Sequence, residues 1–400
     1  MTSVIRKTEE VRKVICNTQR AMLAFAAVLL LAPAGILFAQ SGGGASPAPP
    51  AVEIHGYMQN RIYTGSGANT QFRSERISLS ALGRLPEDSN AYVEVYYHPW
   101  APSSGLYLES AYYDRPVDED NRLRIGKGRR LTFGITPAYP NRKTSNYGIV
   151  SETFTQDRIQ GIQYYTTKGV FDFGVSLHTG YRLGTRNVGE IPGDSLRNPM
   201  HQVPHLALRD LPGELSDEIQ LSARIGGRWA GDLTAGISGS FGALDSRDVA
   251  ALAGTGTSLR PINPFTGVNA VSALIPGNTD DSFSQWGVDI MKKWDNGWVA
   301  QAEWYTGTAA TLDFDAWNVL GGYFFPNGWK AFVRYSKKNM DTPLTDNPLS
   351  WDLNQTSISV VQPIGKSVWL QYEYEINGED TNTGQSVGNN IFFVELFAGF

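Results

Sequence analysis

Residues 368–376 read VWLQYEYEI. Val368, Leu370, Tyr372, Tyr374 and Ile376 share one side of an extended chain, and Gln371, Glu373 and Glu375 share the other. The same period of two runs through residues 298–304 (WVAQAEW), 329–335 (WKAFVRY) and 91–97 (AYVEVYY). Successive side chains of a strand point to opposite faces, so these segments form strands that are apolar on one face and polar on the other. Strands of this kind need company. The apolar face packs as the core of a soluble sandwich, or it meets lipid on the outside of a barrel.

The connections choose between the two. Strands are expected near 52–63, 72–85, 91–98, 106–114, 123–127, 159–165, 170–181, 219–229, 233–241, 283–294, 298–306, 314–325, 329–337, 352–361, 367–376 and 391–400. The links that leave even-numbered strands are short: LPEDSN, RPVDEDNR, TTKG, AGD, DNG, PNG and QPIGK. Asp-Asn-Gly and Pro-Asn-Gly place glycine where a tight turn needs positive φ. Several links that leave odd-numbered strands are long: 128–158, 182–218 and 242–282. Alternating tight turns and long loops is the build of outer-membrane barrels. The expectation over residues 51–400 is an all-β, transmembrane antiparallel β-barrel of about sixteen strands. An even count returns both termini to the same side.

Composition agrees. Charged residues are 18% of the chain and aromatics 12%; soluble proteins carry about 25% charged residues. Mean hydropathy is slightly polar at −0.26, as expected when apolar and polar residues alternate. Beyond the leader no run of about eighteen apolar residues occurs, so no transmembrane helix is expected there.

The leader is residues 1–39. Arg6, Lys7, Arg12, Lys13 and Arg20 precede the apolar run AMLAFAAVLLL at 21–31, and Ala39 is a small residue at a plausible cleavage point. This is the order of a secretory signal peptide. Pro33 and Gly35 interrupt the run and argue against an uncleaved anchor. Residues 40–50 are a flexible linker rich in Gly, Ser and Pro. The chain's one cysteine, Cys16, lies among basic residues rather than after an apolar stretch, which argues against a lipoprotein. Cleavage would leave no cysteine, hence no disulfide or thiolate metal site. The formal charge of −5 gives no basic face for nucleic acid.

The last strand places Phe392, Val394, Leu396, Ala398 and Phe400 on one face and Glu395 on the other. A chain that ends this way resembles bacterial outer-membrane proteins, in which the terminal phenylalanine, here Phe400, is part of the signal read by the barrel-assembly machinery. The phrases LRIGKGRRLTFG at 123–134 and ETFTQDRIQGIQYY at 152–165 resemble the phosphate-selective porin O/P-like group, with the DcaP-like channels close by. That resemblance implies a passive porin in the outer membrane of a Gram-negative-type bacterium, in contact with lipid and lipopolysaccharide. It implies a homotrimer, no cofactor, and small hydrophilic solutes, with phosphate-like ions or small carboxylates as the anionic class. It also implies that loop 128–158 folds inward as the constriction.

That loop carries Arg129, Arg130, Arg142, Lys143 and Arg158 against Glu152 and Asp157. Basic residues in a narrow pore lower the barrier for anions, and a low-dielectric wall strengthens each charge. Further pore-lining candidates are Arg76, Arg84, Arg124 and Arg334, with Ser78 and Ser80 between the first two. Glu94, Glu303, Glu373 and Glu395 face inward by the same alternation and offset them. The plainer alternative is a general diffusion pore whose arginines are solvated or paired.

Other constellations carry less. His201 and His205 form HQVPH, but Pro204 breaks the helix a metal pair would need. The Gly-Lys-Gly at 126–128 lacks phosphate-loop spacing. The acidic run at 118–120 falls on a turn and is expected to be solvated. Outward Trp298, Trp304, Trp329 and Tyr335 fit membrane-interface anchors. An outer-membrane enzyme for lipid or peptide hydrolysis is a competing function, but His98 and His178 have no evident serine partner in the sequence. A structural or adhesive barrel without an open pore is another, with loops 182–218 and 242–282 for attachment. An energised receptor needs a large N-terminal plug, for which the linker leaves no room.

Overall fold

The computed structural model describes residues 52–65, 68–97, 106–135, 143–144, 148–155, 158–180, 182–188, 203–208, 216, 218–256, 258–261, 274–340, 352–380 and 389–400. The expected signal peptide, linker and Cys16 lie outside them, as do Arg142, Asp157, His98 and His201.

Nineteen strands occur among these residues, in chain order β1 (Val52–Gly65), β2 (Ala68–Arg84), β3 (Asn90–Tyr97), β4 (Leu106–Pro116), β5 (Asn121–Arg129), β6 (Arg158–Lys168), β7 (Phe171–Thr179), β8 (Leu183–Val188), β9 (Val203–Leu208), β10 (Ile219–Trp229), β11 (Leu233–Ala243), β12 (Arg260–Pro261), β13 (Ser282–Lys293), β14 (Trp298–Ala309), β15 (Leu312–Phe324), β16 (Lys330–Met340), β17 (Asp352–Pro363), β18 (Val368–Asp380) and β19 (Ile391–Gly399). Sixteen of them close into one antiparallel barrel, each paired with its neighbours in the chain. The seam is β1 against β19, in register from Tyr57↔Gly399 to Gly65↔Ile391. Beyond it, Gly56 and Phe400 exchange backbone hydrogen bonds at 3.0 and 2.9 Å. The terminal residue thus takes part in closing the barrel.

The period of two holds on the wall. On β18, Gln371, Glu373, Glu375 and Asn377 are buried, while Tyr374 and Ile376 are exposed. On β19, Phe392 and Leu396 are exposed and Glu395 is buried. Outward residues elsewhere are large and apolar: Ile225 and Ile237 are each 63% exposed, and Ile290 and Val319 each 47%. A soluble protein exposes contiguous apolar patches of only about 300–600 Å². A continuous apolar band around a closed sheet is instead the outside of a membrane barrel. Outward aromatic residues pair across strands, as in Trp286–Trp304 at 4.8 Å and Trp317–Tyr335 at 5.4 Å between ring centres.

The short turns take the conformations their residues favour. Gly297 and Gly328, of Asp-Asn-Gly and Pro-Asn-Gly, have φ of 93° and 85°. The acidic turn at 118–120 is more than solvated surface. The Asp118 carboxylate accepts the backbone N–H groups of Asp120 and Asn121, both at 3.0 Å. These bonds, with the Asn121 side-chain amide first, hold Asp118 below the usual carboxylate range.

Two links that leave odd-numbered wall strands are also tight. β1 and β2 are separated by two residues, and so are β14 and β15. The long-loop end is therefore uneven in height. Two long loops carry structure that the sequence did not disclose. β8 pairs with β9 and with the two-residue β12 as a small separate sheet. A helix spans Ser246–Ala253; Asp245 caps its N-terminus by accepting the Arg247 N–H, and Gly254 ends it in the left-handed conformation.

These loops pack inside the barrel. Phe133, Val150 and Phe154 from the link after β5 join Leu183 and Leu206 from the link after β7. Leu244, Leu252, Leu259 and Leu274 come from the link after β11. All meet wall residues Ile159, Phe283, Tyr305, Leu312, Phe314 and Met340 in one apolar cluster. The wall residues among them sit near the long-loop ends of β6 and β13–β16, so the loops lean on that side of the barrel.

Candidate functional site

The described parts of the link after β5, residues 130–135, 143–144 and 148–155, lie against the inner wall of the barrel, as the resemblance implied. A backbone that leaves the sheet and is buried must still satisfy its polar groups. Here the wall does so with inward side chains from successive strands. The Leu131 N–H donates to Gln163 Oε1 of β6 at 2.9 Å. Thr132 Oγ1 meets Ser176 Oγ of β7 at 2.6 Å. The Gly134 N–H donates to Ser238 Oγ of β11 at 2.8 Å, and the Ile135 N–H to the Tyr305 hydroxyl of β14 at 3.3 Å. Gly134 has φ of 61°, and a Cβ there would lie 2.7 Å from the Tyr305 hydroxyl oxygen. Glycine is required on both counts.

Further along, Lys143 Nζ donates to Gln301 Oε1 of β14 at 2.6 Å, and Thr144 Oγ1 accepts from Arg334 Nη1 of β16 at 2.5 Å. Burial holds the Lys143 ammonium below its ordinary pKa, and the Glu303 carboxylate opposes that shift. A short helix, Ile149–Phe154, follows. Its Thr153 hydroxyl accepts from Lys338 Nζ at 3.2 Å, and Lys338 also donates to the Leu206 carbonyl of β9. The loop then returns to its root. Arg130 Nη2 donates to the Phe154 carbonyl at 2.8 Å and to Gln285 at 3.4 Å, and Nη1 donates to Ser222 at 3.4 Å. Arg130 is fully buried, with its guanidinium 4.1 Å from the Phe133 ring centre.

The candidate constriction residues therefore separate. Arg130 and Lys143 fasten the loop to the wall. Arg158, at the loop's exit, pairs with Glu109 of β4 at 2.5 Å. Arg129 ends β5 beside Arg158 in the register. Glu109 also has Arg76, Lys127 and Arg129 close enough to act on its charge. Arg76, Arg129 and Arg158 thus act on one carboxylate where the loop leaves the wall. Lys127 shares the face of exposed Ile125 and donates to the Leu108 carbonyl at 2.8 Å. Glu109 is the member the sequence did not reveal. Glu109 occupies a register shift between β3 and β4, which a strict period of two cannot place.

The pore-lining candidates face inward. Arg76 lies 4.5 Å from the Tyr96 ring centre. Glu94 accepts from Ser78 Oγ at 3.0 Å. Glu303 accepts from Gln301, Asn318 and Tyr305 at 2.9, 2.8 and 3.0 Å. Arg334 also donates to Ser357 at 2.8 Å, and Glu373 accepts from Gln371 at 3.3 Å. Arg124 pairs with Asp114 at 2.8 Å. Arg84 differs: it lies at the short-turn rim, more than half exposed, paired with Glu53 at 2.6 Å.

One pair was hidden by sequence distance. His178 Nε2 lies 2.8 Å from Ser222 Oγ. The ring's other nitrogen faces the Thr179 carbonyl at 2.9 Å rather than a carboxylate. Arg130 donates to the same serine oxygen, and that hydroxyl is bonded onward to Ser240 at 2.9 Å. A guanidinium aimed at the oxygen lowers its nucleophilicity, the reverse of what acyl transfer needs. This polar belt supports the loop's root.

No family profile matches the chain, and no curated protein matches it. Solved structures share its fold. The outer membrane channel DcaP of Acinetobacter baumannii is 15% identical, with 90% of this chain and 100% of that one aligned at a TM-score of 0.59. OmpT of Vibrio cholerae, an outer membrane protein in trimer form, is 12% identical over 88% of this chain and 100% of its own, at 0.53. An anion-selective porin from Comamonas acidovorans is 11% identical over 88% and 100%, at 0.51. The chain has the fold of these outer-membrane porins: a closed sixteen-stranded antiparallel barrel with an inward loop.

Proposed function

We propose that this chain is a passive diffusion channel of a Gram-negative-type outer membrane, preferring small anions. Solutes cross down their gradient through the lumen, with no covalent step and no cofactor. The observation that carries the anion preference is that Arg76, Arg129 and Arg158 act on the charge of Glu109 where the loop leaves the wall. Positive charge in excess at the narrowest part of a low-dielectric pore favours anions. Phosphate-like ions and small carboxylates are the solute class. The leader at 1–39 acts as the export signal and is removed. Phe400, at the closing seam, serves the assembly machinery. The barrel works as a homotrimer in contact with lipid and lipopolysaccharide. The trimer form of the Vibrio cholerae protein supports that assembly.

The test is the reversal potential across a planar bilayer under a KCl gradient. Wild type is expected to favour chloride. Replacing Arg129, Arg142 and Arg158 with glutamine is expected to move the potential toward zero or past it. An unchanged potential removes the loop and its exit as the selectivity element.

A further inference from the structure

Two of the loop's fastenings meet on one wall carboxylate. Glu303, on β14, is 4% exposed. Its Oε1 accepts from the Tyr305 hydroxyl at 3.0 Å. Its Oε2 accepts from the side-chain amides of Gln301 and Asn318 at 2.9 and 2.8 Å. Among the described residues, no cation forms an ion pair with it.

Two of these three donors reach on to the loop. The Ile135 N–H donates to the Tyr305 oxygen at 3.3 Å, and Lys143 Nζ donates to Gln301 Oε1 at 2.6 Å. A backbone N–H and an ammonium can only donate. Tyr305 must therefore turn its oxygen to the loop and its hydroxyl hydrogen to Glu303. Gln301 must turn its carbonyl to Lys143, which leaves its N–H groups for Glu303. Both relays run toward the same carboxylate, which can take them because it only accepts.

A neutral group of the same shape breaks this arrangement. Protonated glutamate, or glutamine, brings one donor into a ring of donors. Placed on the Oε2 side, that donor forces the Gln301 amide to turn, and Gln301 then presents N–H to the Lys143 ammonium. Placed on the Oε1 side, it leaves the Tyr305 hydroxyl hydrogen without an acceptor. Either way one of the two fastenings is weakened.

No neighbouring charge takes over the role. Asp289 of β13 is the register partner of Glu303 and is held by Arg224 of β10, whose Nη2 donates to Oδ1 at 2.7 Å. On β15 the register partner is Asn318, which does not titrate. The loop contributes Lys143, whose charge Glu303 feels. On its own strand the titratable neighbour is Tyr305, whose ring is packed against Phe133 and Phe154, with centres 5.5 and 5.6 Å away. Those apolar contacts do not depend on Glu303.

We propose that Glu303 is a positioning residue for the constriction: as a carboxylate it sets the direction of both relays and holds the loop at Ile135 and at Lys143, and a proton on it frees one of the two. The loop is fixed while Glu303 is ionised and loosens in acid. This rests on the channel reading for its electrical readout alone.

The first test is single-channel recording in planar bilayers from about pH 8 to about pH 4, a range that spans carboxylate titration. Wild type is expected to give quiet steps at the upper end and flickering ones at the lower. Glu303→Gln is expected to flicker throughout, with no dependence on pH. Glu303→Asp keeps the charge and is expected to keep the pH dependence. Folding of each variant is checked by the mobility shift of unheated against heated samples. The second test is hydrogen exchange of the full mature barrel in detergent at about pH 7, which reads the loop without current. Exchange at Ile135 is expected to be roughly tenfold faster in Glu303→Gln, as for loss of one charge-assisted hydrogen bond. Equal exchange at Ile135 in the two proteins overturns the proposal. So does Glu303→Gln with the pH response of wild type. A wild-type trace unchanged over the whole range overturns it without any variant. A folded barrel that passes no current but exchanges faster at Ile135 in Glu303→Gln keeps the positioning role and loses only the channel reading.

Discussion

Replacing Arg130 with methionine is expected to raise single-channel conductance and make the current noisier. The guanidinium is fully buried and reaches the Phe154 carbonyl, Ser222 and Gln285 from the loop's own root. It ties the first residue of the loop to the end of its helix, so the loop is closed on itself as well as fastened to the wall. Methionine fills part of the volume but donates nothing. A buried acceptor left without its donor costs about 1–3 kcal/mol. Wall bonds at Leu131, Thr132 and Gly134 remain, so the barrel should still fold. What loosens is the returning arm with Thr153 and Phe154. Arg130→Lys keeps the charge but cannot span three acceptors, and should lie between wild type and methionine. Conductance in a planar bilayer checks this. Equal values for all three proteins would mean that the loop's position does not depend on its root.

Glu395→Ala is expected to weaken the barrel more than any other single wall substitution. Glu395 faces the lumen on the last strand and is fully buried. It accepts from Arg61 Nε at 2.6 Å and from the Gln59 side chain, both on β1. Strands β1 and β19 are the ends of the sheet, so their contact must form last, across most of the chain's length. Removing one partner of a buried pair strands the other charge and costs about 3–5 kcal/mol. The measurement is the temperature at which the compact band converts to the unfolded one in detergent gels. Glu395→Ala should convert well below wild type. Adding Arg61→Met should recover part of the loss, since no charge is then left unpaired. A double variant as weak as the sum of the two single ones would show that the pair is not what holds the seam.

The wall was legible because its code is local. A period of two in segments such as 368–376 fixes which side chains go in, and glycine turns such as those at Gly297 and Gly328 fix where the chain reverses. Strand ends moved by a few residues, most at the start of β2 and the end of β18. The strands β8 and β9 and the helix after Asp245 were not legible. They are short, and they are stabilised by packing inside the lumen rather than by periodicity of their own. The site was legible only in composition. A basic loop could be recognised, but not that Arg130 and Lys143 would turn away to hold it, nor that Glu109 would sit at a register shift and pair with Arg158. The alternation places Glu303 inward, but its link to the loop was missed. That link runs to Ile135 and Lys143, far away in the chain, and needs the fold. The His178–Ser222 contact was invisible for the same reason, with 44 residues between its members.

Passive diffusion through this barrel requires that its inward polar face enclose water from one end to the other. Single-channel recording from the purified, folded protein in a planar bilayer tests this most directly. Discrete current steps that grow linearly with voltage are the expected result. A folded barrel whose insertion is verified, yet which passes no current at any voltage, would contradict it.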